Sequence, residues 1–362
     1  VVEIDTVLIK AVSRCNISCQ YCYVYNMGDL SWVDLPRQMS SATMITVANA
    51  LGTLAQVQHR RFAVVLHGGE PLMLGHARLD SLLTALRKAL PVEYPCSIQT
   101  NGTLITQAIL DVCAEHYTSL GVSIDGPRDV HDRHRVGYRG EGTYAKVLAG
   151  IAKLRNHQDA SFLYAGVLAV IDPTSDPHNV YSFFKALGPP SIDFLYRDGN
   201  HSQLPYGKVS VQSTEYGQWL TKLLDVYLAD PTPIPIRVLD DMIKLLIGGS
   251  GAKEGIGATD FGIVIIDTDG AIRKSDTLKS AFCGADRFEQ PWSVHTYQLM
   301  DVAQSPEFAR YYALQQPTAP VFLPAQNSVS VAVVCQSIAG GMLMGTTILI
   351  LCRSAPVDRT HP

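Results

Sequence analysis

Thr6-Val7-Leu8-Ile9-Lys10-Ala11-Val12, followed closely by Cys15-Asn16-Ile17-Ser18-Cys19-Gln20-Tyr21-Cys22-Tyr23, decides how the chain is read. The first part is an apolar run with the character of a buried strand. The second places three thiols within eight residues, spaced C-x₃-C-x₂-C, in a loop at the end of that strand. Ligands of parallel α/β folds bind at that end of the strands. A structural zinc site closes with four ligands, and here no fourth Cys or His follows soon. Three soft thiolates suit an iron–sulfur cluster and leave one iron free to bind something else. Eight cysteines scattered at random would give this spacing with odds of roughly 0.4%. The alternatives are three buried thiols or half a zinc site.

Working outward, strand-like runs alternate with helix-like ones. Strands are expected at Val7–Val12, Arg61–Leu66, Cys96–Gln99, Leu120–Ile124, Phe162–Ile171 and Ser191–Tyr196. Helices are expected at Ser41–Leu54, Leu79–Leu90, Ile105–His116, Tyr144–Asn156 and Val180–Leu187, the first capped by Ser40 or Ser41. Six β/α units in series imply a parallel sheet with helices outside. The strands are short apolar runs, as sheets buried on both faces require. No G-x-G-x-x-G follows the first strand, so the pattern fits an α/β partial (β/α)₆ TIM-like barrel better than a dinucleotide-binding sheet. Further on, helices are expected at Tyr216–Leu228 and Ile236–Ile247, and a hairpin at Phe261–Ile266 and Ala271–Arg273. The expected division is a barrel over residues 1–235 and a C-terminal extension over 236–362.

The chain has 362 residues, 47% hydrophobic and 17% charged, with net charge −4. That is enough for a large core. Scattered Lys and Arg argue against a nucleic-acid partner. No signal-peptide pattern precedes the first strand, which implies a cytoplasmic setting where thiols stay reduced. Residues 311–352 carry no charged side chain, where ordinary composition predicts about seven. Val331–Leu351 is long enough to span a bilayer. It nevertheless contains Gln336, Ser337, Gly340, Gly341, Thr346 and Thr347 and lacks a positive N-terminal flank, so a membrane span is not expected.

Three loops at strand ends carry candidate ligand groups. His67-Gly68-Gly69-Glu70-Pro71 follows the second strand; its glycines permit close backbone approach, and its carbonyls and carboxylate can accept from an ammonium group. Gln99-Thr100-Asn101-Gly102 ends the third strand, with amides to offer a ligand or simply a turn. Ser123-Ile124-Asp125-Gly126-Pro127 ends the fourth, and Arg135 lies downstream in His131-Asp132-Arg133-His134-Arg135. An Arg fork matches a carboxylate. The sixth strand runs into Arg197-Asp198-Gly199, where Asp198 would face the barrel mouth and could take a proton. Cys96 and Cys113 read as core thiols.

The C-x₃-C-x-Tyr-C motif resembles the signature of radical S-adenosylmethionine (SAM) enzymes. The resemblance implies a [4Fe–4S] cluster on Cys15, Cys19 and Cys22, with SAM on the fourth iron. Tyr21 would lie near the adenine. Gly68, Gly69, Glu70 and Pro71 match a loop that binds the SAM amino group. Ser123 and Arg135 match residues used for its carboxylate and ribose, and Gln99, Asn101 and Asp125 would complete the pocket. Reductive cleavage of SAM would give a 5′-deoxyadenosyl radical that abstracts hydrogen from the substrate.

Further stretches narrow the likeness: Cys19–Trp32, Ser123–Arg135 with Gly140–Tyr144, Asp193–Pro205 and Thr268–Ser280. Over roughly residues 5–310 the chain resembles peptide maturases that crosslink side chains, cyclophane-type, in ribosomally made peptides. These bear a SPASM or shortened SPASM extension, and anaerobic sulfatase-maturating enzymes are their relatives. The resemblance implies a precursor peptide as substrate and a flavodoxin- or ferredoxin-type electron donor. With no separate domain ahead of the first strand, the peptide's leader is expected to dock on the barrel, the extension or another protein. Oxidation of a sulfatase Ser or Cys to formylglycine is the alternative reaction, and a catalytically impaired Fe–S scaffold protein is the alternative of another class. The departure is at the end: Cys283, Cys335 and Cys352 are widely spaced, and Ala339 precedes Gly340-Gly341 where the family has Cys. They form no recognisable four-ligand set for an auxiliary cluster. Loss of the cysteine and charge patterns together points to divergence, or a shifted reading frame, after about Pro320.

Overall fold

The computed structural model describes residues 2–200, 202–249 and 262–313, together with two paired two-residue strands, Ala332–Val333 and Ile348–Leu349. Strands β1 (Thr6–Val12), β2 (Ser18–Cys19), β3 (Ala63–Gly68), β4 (Cys96–Thr100), β5 (Thr118–Ser123), β6 (Arg135–Val136), β7 (Tyr164–Val170), β8 (Ile192–Leu195), β9 (Ile263–Ile266) and β10 (Ile272–Arg273) follow in chain order. The helices are α1 (Ser41–Val57), α2 (His76–Ala89), α3 (Gln107–Glu115), α4 (Arg128–His134), α5 (Tyr144–Arg155), α6 (Ala160–Leu163), α7 (Pro177–Leu187), α8 (Glu215–Ala229), α9 (Arg237–Leu246), α10 (Leu299–Ala303) and α11 (Pro306–Ala313).

Six of the strands, β1-β3-β4-β5-β7-β8 in spatial order, form the partial barrel, each parallel to its neighbour. Parallel order forces each connection to cross back over the sheet, and helices supply those crossings. Ser40 caps α1 by accepting from the Thr43 amide at 3.0 Å. Asp176 and Pro177 start α7, and Gly188 stops it in the left-handed conformation at φ 63°. Val7, Ile9, Leu66, Ile98, Leu120, Val122 and Ala169 are fully buried with the apolar faces of these helices.

One local expectation fails. Phe162 and Leu163 belong to the turn α6, not to the fifth barrel strand. Their amides bond back to the Asp159 carbonyl at 3.2 and 3.1 Å, and this local bonding overrides the β-propensity of the Phe-Leu-Tyr run. The expected hairpin does form between β9 and β10. But β9 also lies parallel to β1, extending the barrel sheet on its open side. Helices α10 and α11 follow and resemble a SPASM-like extension. Among the described residues no helix is long and apolar enough to cross a membrane. The apolar stretch 331–351, apart from its two short strands, and the atypical end with Cys335 and Cys352 lie outside the described residues.

A buried charge network fastens β9, β10 and the following turn to the barrel. Lys10 Nζ on β1 lies 2.6 Å from Asp276 Oδ1 and 3.5 Å from Asp267 Oδ1. Lys279 Nζ lies 3.0 Å from Asp29 Oδ2 and 2.9 Å from Asp286 Oδ2. All six side chains are at least nine-tenths buried.

Candidate active site

The C-terminal ends of the barrel strands open on one cleft. Cys15, Cys19 and Cys22 line it, with Tyr21, Gly68, Gly69, Gln99, Asn101, Ser123, Arg135 and Asp198. Chain segments separated by nearly two hundred residues therefore converge, as parallel topology dictates.

The cysteine loop is pinned from several sides. Its β2 pairs with β6, setting Cys19 opposite Arg135. The Cys22 amide donates to the Cys19 carbonyl at 3.0 Å, and Asn26 Nδ2 donates to the same carbonyl at 2.7 Å. Asn101 Nδ2 reaches Cys15 Sγ at 3.7 Å, and Arg135 Nη1 reaches Cys19 Sγ at 3.8 Å. Donors aimed at sulfur stabilise thiolates and tune a bound metal centre. Burial pushes the thiol of Cys15 up to about 12 and that of Cys22 up to about 11. Thiolates here therefore call for a metal cation beside them.

Among the described residues, the group whose ligand atoms all fall within 4.8 Å is Asp80, Glu115 and His116 on the outer helices, not the cysteines. Three soft thiolate donors on one loop are the donor set an iron–sulfur cluster takes. Cys96 and Cys113 are buried in the core, and Cys283 is exposed.

The GGEP loop has two distinct jobs. Gly69 and Glu70 donate their amides to the carbonyls of Val12 and Arg14, both at 2.9 Å. A Cβ on Gly69 would collide with the Arg14 carbonyl and the Tyr25 hydroxyl, so glycine is required for this crossing. Gly68 and Gly69 face the cleft; Glu70 and Pro71 lie beneath it, buried. Glu70 Oε1 accepts from the Leu72 amide at 3.0 Å and Thr100 Oγ1 at 2.7 Å, while Oε2 accepts from the Asn101 amide at 2.7 Å. Its carboxylate thus ties β3 to the end of β4. Burial pushes its pKa up to about 7, against the pull of these donors.

Asp125 is likewise a bracket beneath the cleft. Tyr21 Oη donates to its Oδ2 at 2.5 Å. Arg135 Nε at 3.1 Å and the Val170 amide at 3.0 Å donate to its Oδ1. His131 sits behind it: Nδ1 accepts from the Asp125 amide at 3.3 Å, so Nε2 carries the proton toward Thr143 Oγ1 at 3.0 Å. His134 bonds Gln20 Oε1 at 3.0 Å; His131–His134 close helix α4 with both histidines buried, and Arg135 opens β6. Gln99 Nε2 donates to Ser123 Oγ at 2.9 Å.

Opposite the cysteine loop, burial pushes the Asp198 carboxyl up to about 7. Such a group exchanges a proton readily near neutral pH. Sequence reasoning passed over its neighbour Arg197, whose guanidinium lies 4.7 Å from the ring centres of both Tyr21 and Tyr206. His67 and Tyr25 also line the cleft unanticipated, with His67 Nδ1 and Tyr25 Oη buried and without protein partners. A strand-end position was the available signal for His67 and Arg197.

The family model of the Radical SAM superfamily matches residues 9–172. The cysteine-type anaerobic sulfatase-maturating enzyme of Clostridium novyi is 26% identical over 287 residues, covering 75% of this chain and 73% of that protein. The solved structure of native anSMEcpe with bound AdoMet and Cp18Cys peptide superposes with a TM-score of 0.72 at 20% identity, covering 89% of this chain and 84% of that one. Streptococcus suis SuiB bound to precursor peptide SuiA shares the fold at a TM-score of 0.57 and 12% identity, covering 90% of this chain and 68% of that one.

Proposed function

We propose that this chain, a radical SAM enzyme related to the anaerobic sulfatase-maturating enzymes, oxidises a cysteine or serine side chain in a peptide or protein to the formylglycine aldehyde. The observation that carries this reading is the shared sequence with a cysteine-type maturating enzyme along three-quarters of the chain. Cys15, Cys19 and Cys22 would hold a [4Fe–4S] cluster. SAM bound beside that cluster supplies, on one-electron reduction, the radical that removes a hydrogen atom from the substrate carbon.

The chain's own groups supply the rest. Gly68 and Gly69 let the backbone beyond β3 cross closely against Val12 and Arg14 in the cleft wall. Ser123, Gln99 and Asn101 offer hydroxyl and amide groups to SAM, and Tyr21, Asp125 and Arg135 hold the loop that faces it. Asp198 would take the proton released as the substrate-carbon radical gives up its second electron to the iron–sulfur centre; with a cysteine substrate, water then adds at that carbon and sulfur leaves as hydrogen sulfide. A ferredoxin- or flavodoxin-type protein would deliver the electron.

Crosslinking in a precursor peptide is the second reading. It is favoured by the Asp193–Pro205 and Thr268–Ser280 stretches, whose resemblance to cyclophane-forming maturases includes the Arg197-Asp198 pair of the cleft wall.

Anaerobic incubation of the reconstituted protein with SAM, dithionite and peptides containing one cysteine or one serine tests both. Formylglycine reacts with a hydrazide probe. A crosslink loses two hydrogens, ignores the probe and keeps fragments joined during peptide sequencing by mass spectrometry. Absence of 5′-deoxyadenosine from every mixture would leave the Fe–S scaffold reading standing instead.

A further inference from the structure

Arg197 stands two residues beyond β8 in the wall of the cleft and is 9% exposed. Its Nε and Nη2 are buried and bonded to nothing in the protein. The planes of Tyr21 and Tyr206 hold the guanidinium by cation–π contact, each 4.7 Å from centre to charge. These contacts fix its orientation but fill none of its hydrogen-bond sites. The other guanidinium near Tyr21, Arg135, is different: Nε donates to Asp125 and Nη1 faces Cys19 sulfur. Leaving a buried cation without an anion costs several kcal/mol, and an Arg fork matches a carboxylate in two parallel bonds.

We propose that Arg197 is the carboxylate anchor of this cleft, pairing through its free guanidinium edge with a carboxylate of a bound reactant. Two reactants of the proposed reaction carry one: SAM, in its methionine moiety, and the peptide, in an acidic side chain or its C-terminus. The inference deepens the functional reading above and rests on it for the identity of these reactants.

The test uses the cluster-reconstituted full chain as wild type, R197K and R197M, with thermal unfolding to register changes in folding. Isothermal titration with SAM and with decarboxylated SAM forms one arm. If the carboxylate is that of SAM, R197M weakens SAM binding ten-fold or more, R197K weakens it less, and decarboxylated SAM binds all three proteins alike. The second arm measures KM and kcat for the Cp18Cys peptide and for versions with its carboxylates amidated one at a time. If the carboxylate is the peptide's, SAM affinity holds constant and R197M raises KM ten-fold or more with little change in kcat. One amidation then reproduces that rise in wild type and adds nothing in R197M.

SAM affinity and peptide KM both within two-fold of wild type in folded R197M would overturn the proposal, reducing Arg197 to a packing element between two tyrosines. Unchanged SAM affinity with no peptide binding by any protein would overturn it too. A SAM effect in R197M with no peptide turned over would uphold the anchor while sinking the proposed reaction.

Discussion

Tyr21 Oη and Asp125 Oδ2 lie 2.5 Å apart, joining the cysteine loop to the segment beyond the fourth barrel strand. Asp125 also neutralises buried Arg135, whose Nε is 3.1 Å from Oδ1. Removing it strands a buried cation and frees the loop together. Asp125→Ala is expected to destabilise the fold by about 3–5 kcal/mol and to lower iron incorporation on reconstitution. Tyr21→Phe, which removes only the hydroxyl, is expected to cost about 1 kcal/mol and leave iron content near wild type. Urea unfolding and iron analysis of the purified variants check both.

Glu70 predicts a pH dependence of stability. Burial pushes its folded pKa to about 7, above its ordinary value of 4.5, so the folded state holds the proton more tightly. Between these values the native state binds more protons than the unfolded one, and stability from this group falls as pH rises. Glu70→Gln is expected to flatten that decline. Chemical unfolding at pH 5 and pH 8 measures it; an unchanged slope in the variant would remove Glu70 as its source.

The barrel was legible because its signals are local. Each strand is a continuous apolar run and each ligand loop follows a strand directly, so Cys15–Cys22, Gly68-Gly69 and Ser123 could be placed on one rim without coordinates. What the sequence concealed depends on distant partners. Glu70 and Asp125 read as ligand residues; that their carboxylates also accept from backbone amides and side chains up to 104 positions away could not be read from the sequence. The pairing of β9 beside β1 was equally hidden, since nothing near Ile263 announces a strand 250 residues earlier.

Asp198 lines the cleft with its carboxyl pushed up to about 7 by burial, and the proposed reaction gives it the released proton. A base must be ionised to act, so peptide oxidation is expected to rise with pH through about 7 and level off above it. Asp198→Asn is expected to lower the rate of peptide product by about 10²-fold or more and to lose that rising limb. Cleavage of SAM without product formation should persist. Following 5′-deoxyadenosine and modified peptide across the pH range separates the two. Equal losses of both would place Asp198 in SAM binding rather than proton transfer.

Lys10 and Asp276 form an ion pair between the first strand and the turn after β10, at 2.6 Å, with both side chains at least 95% buried. Asp267 shares the same ammonium, and burial raises the Asp276 carboxyl above its usual range despite that cation. Lys10→Met leaves two carboxylates facing each other in a dry setting, so a loss of about 3–5 kcal/mol is expected. The double variant Lys10→Met, Asp276→Asn removes one charge of each sign and should recover part of that loss. The recovery in a double-mutant cycle is the coupling energy of the pair. Since β9 and the turn at Asp276 reach the barrel partly through this pair, the single variant should also expose Lys274 and Arg273 peptide bonds to trypsin while leaving the α3–α5 region protected. Limited proteolysis followed by mass mapping reads that difference. Uniform cleavage along the chain would show that the pair stabilises the whole fold rather than the attachment of this segment.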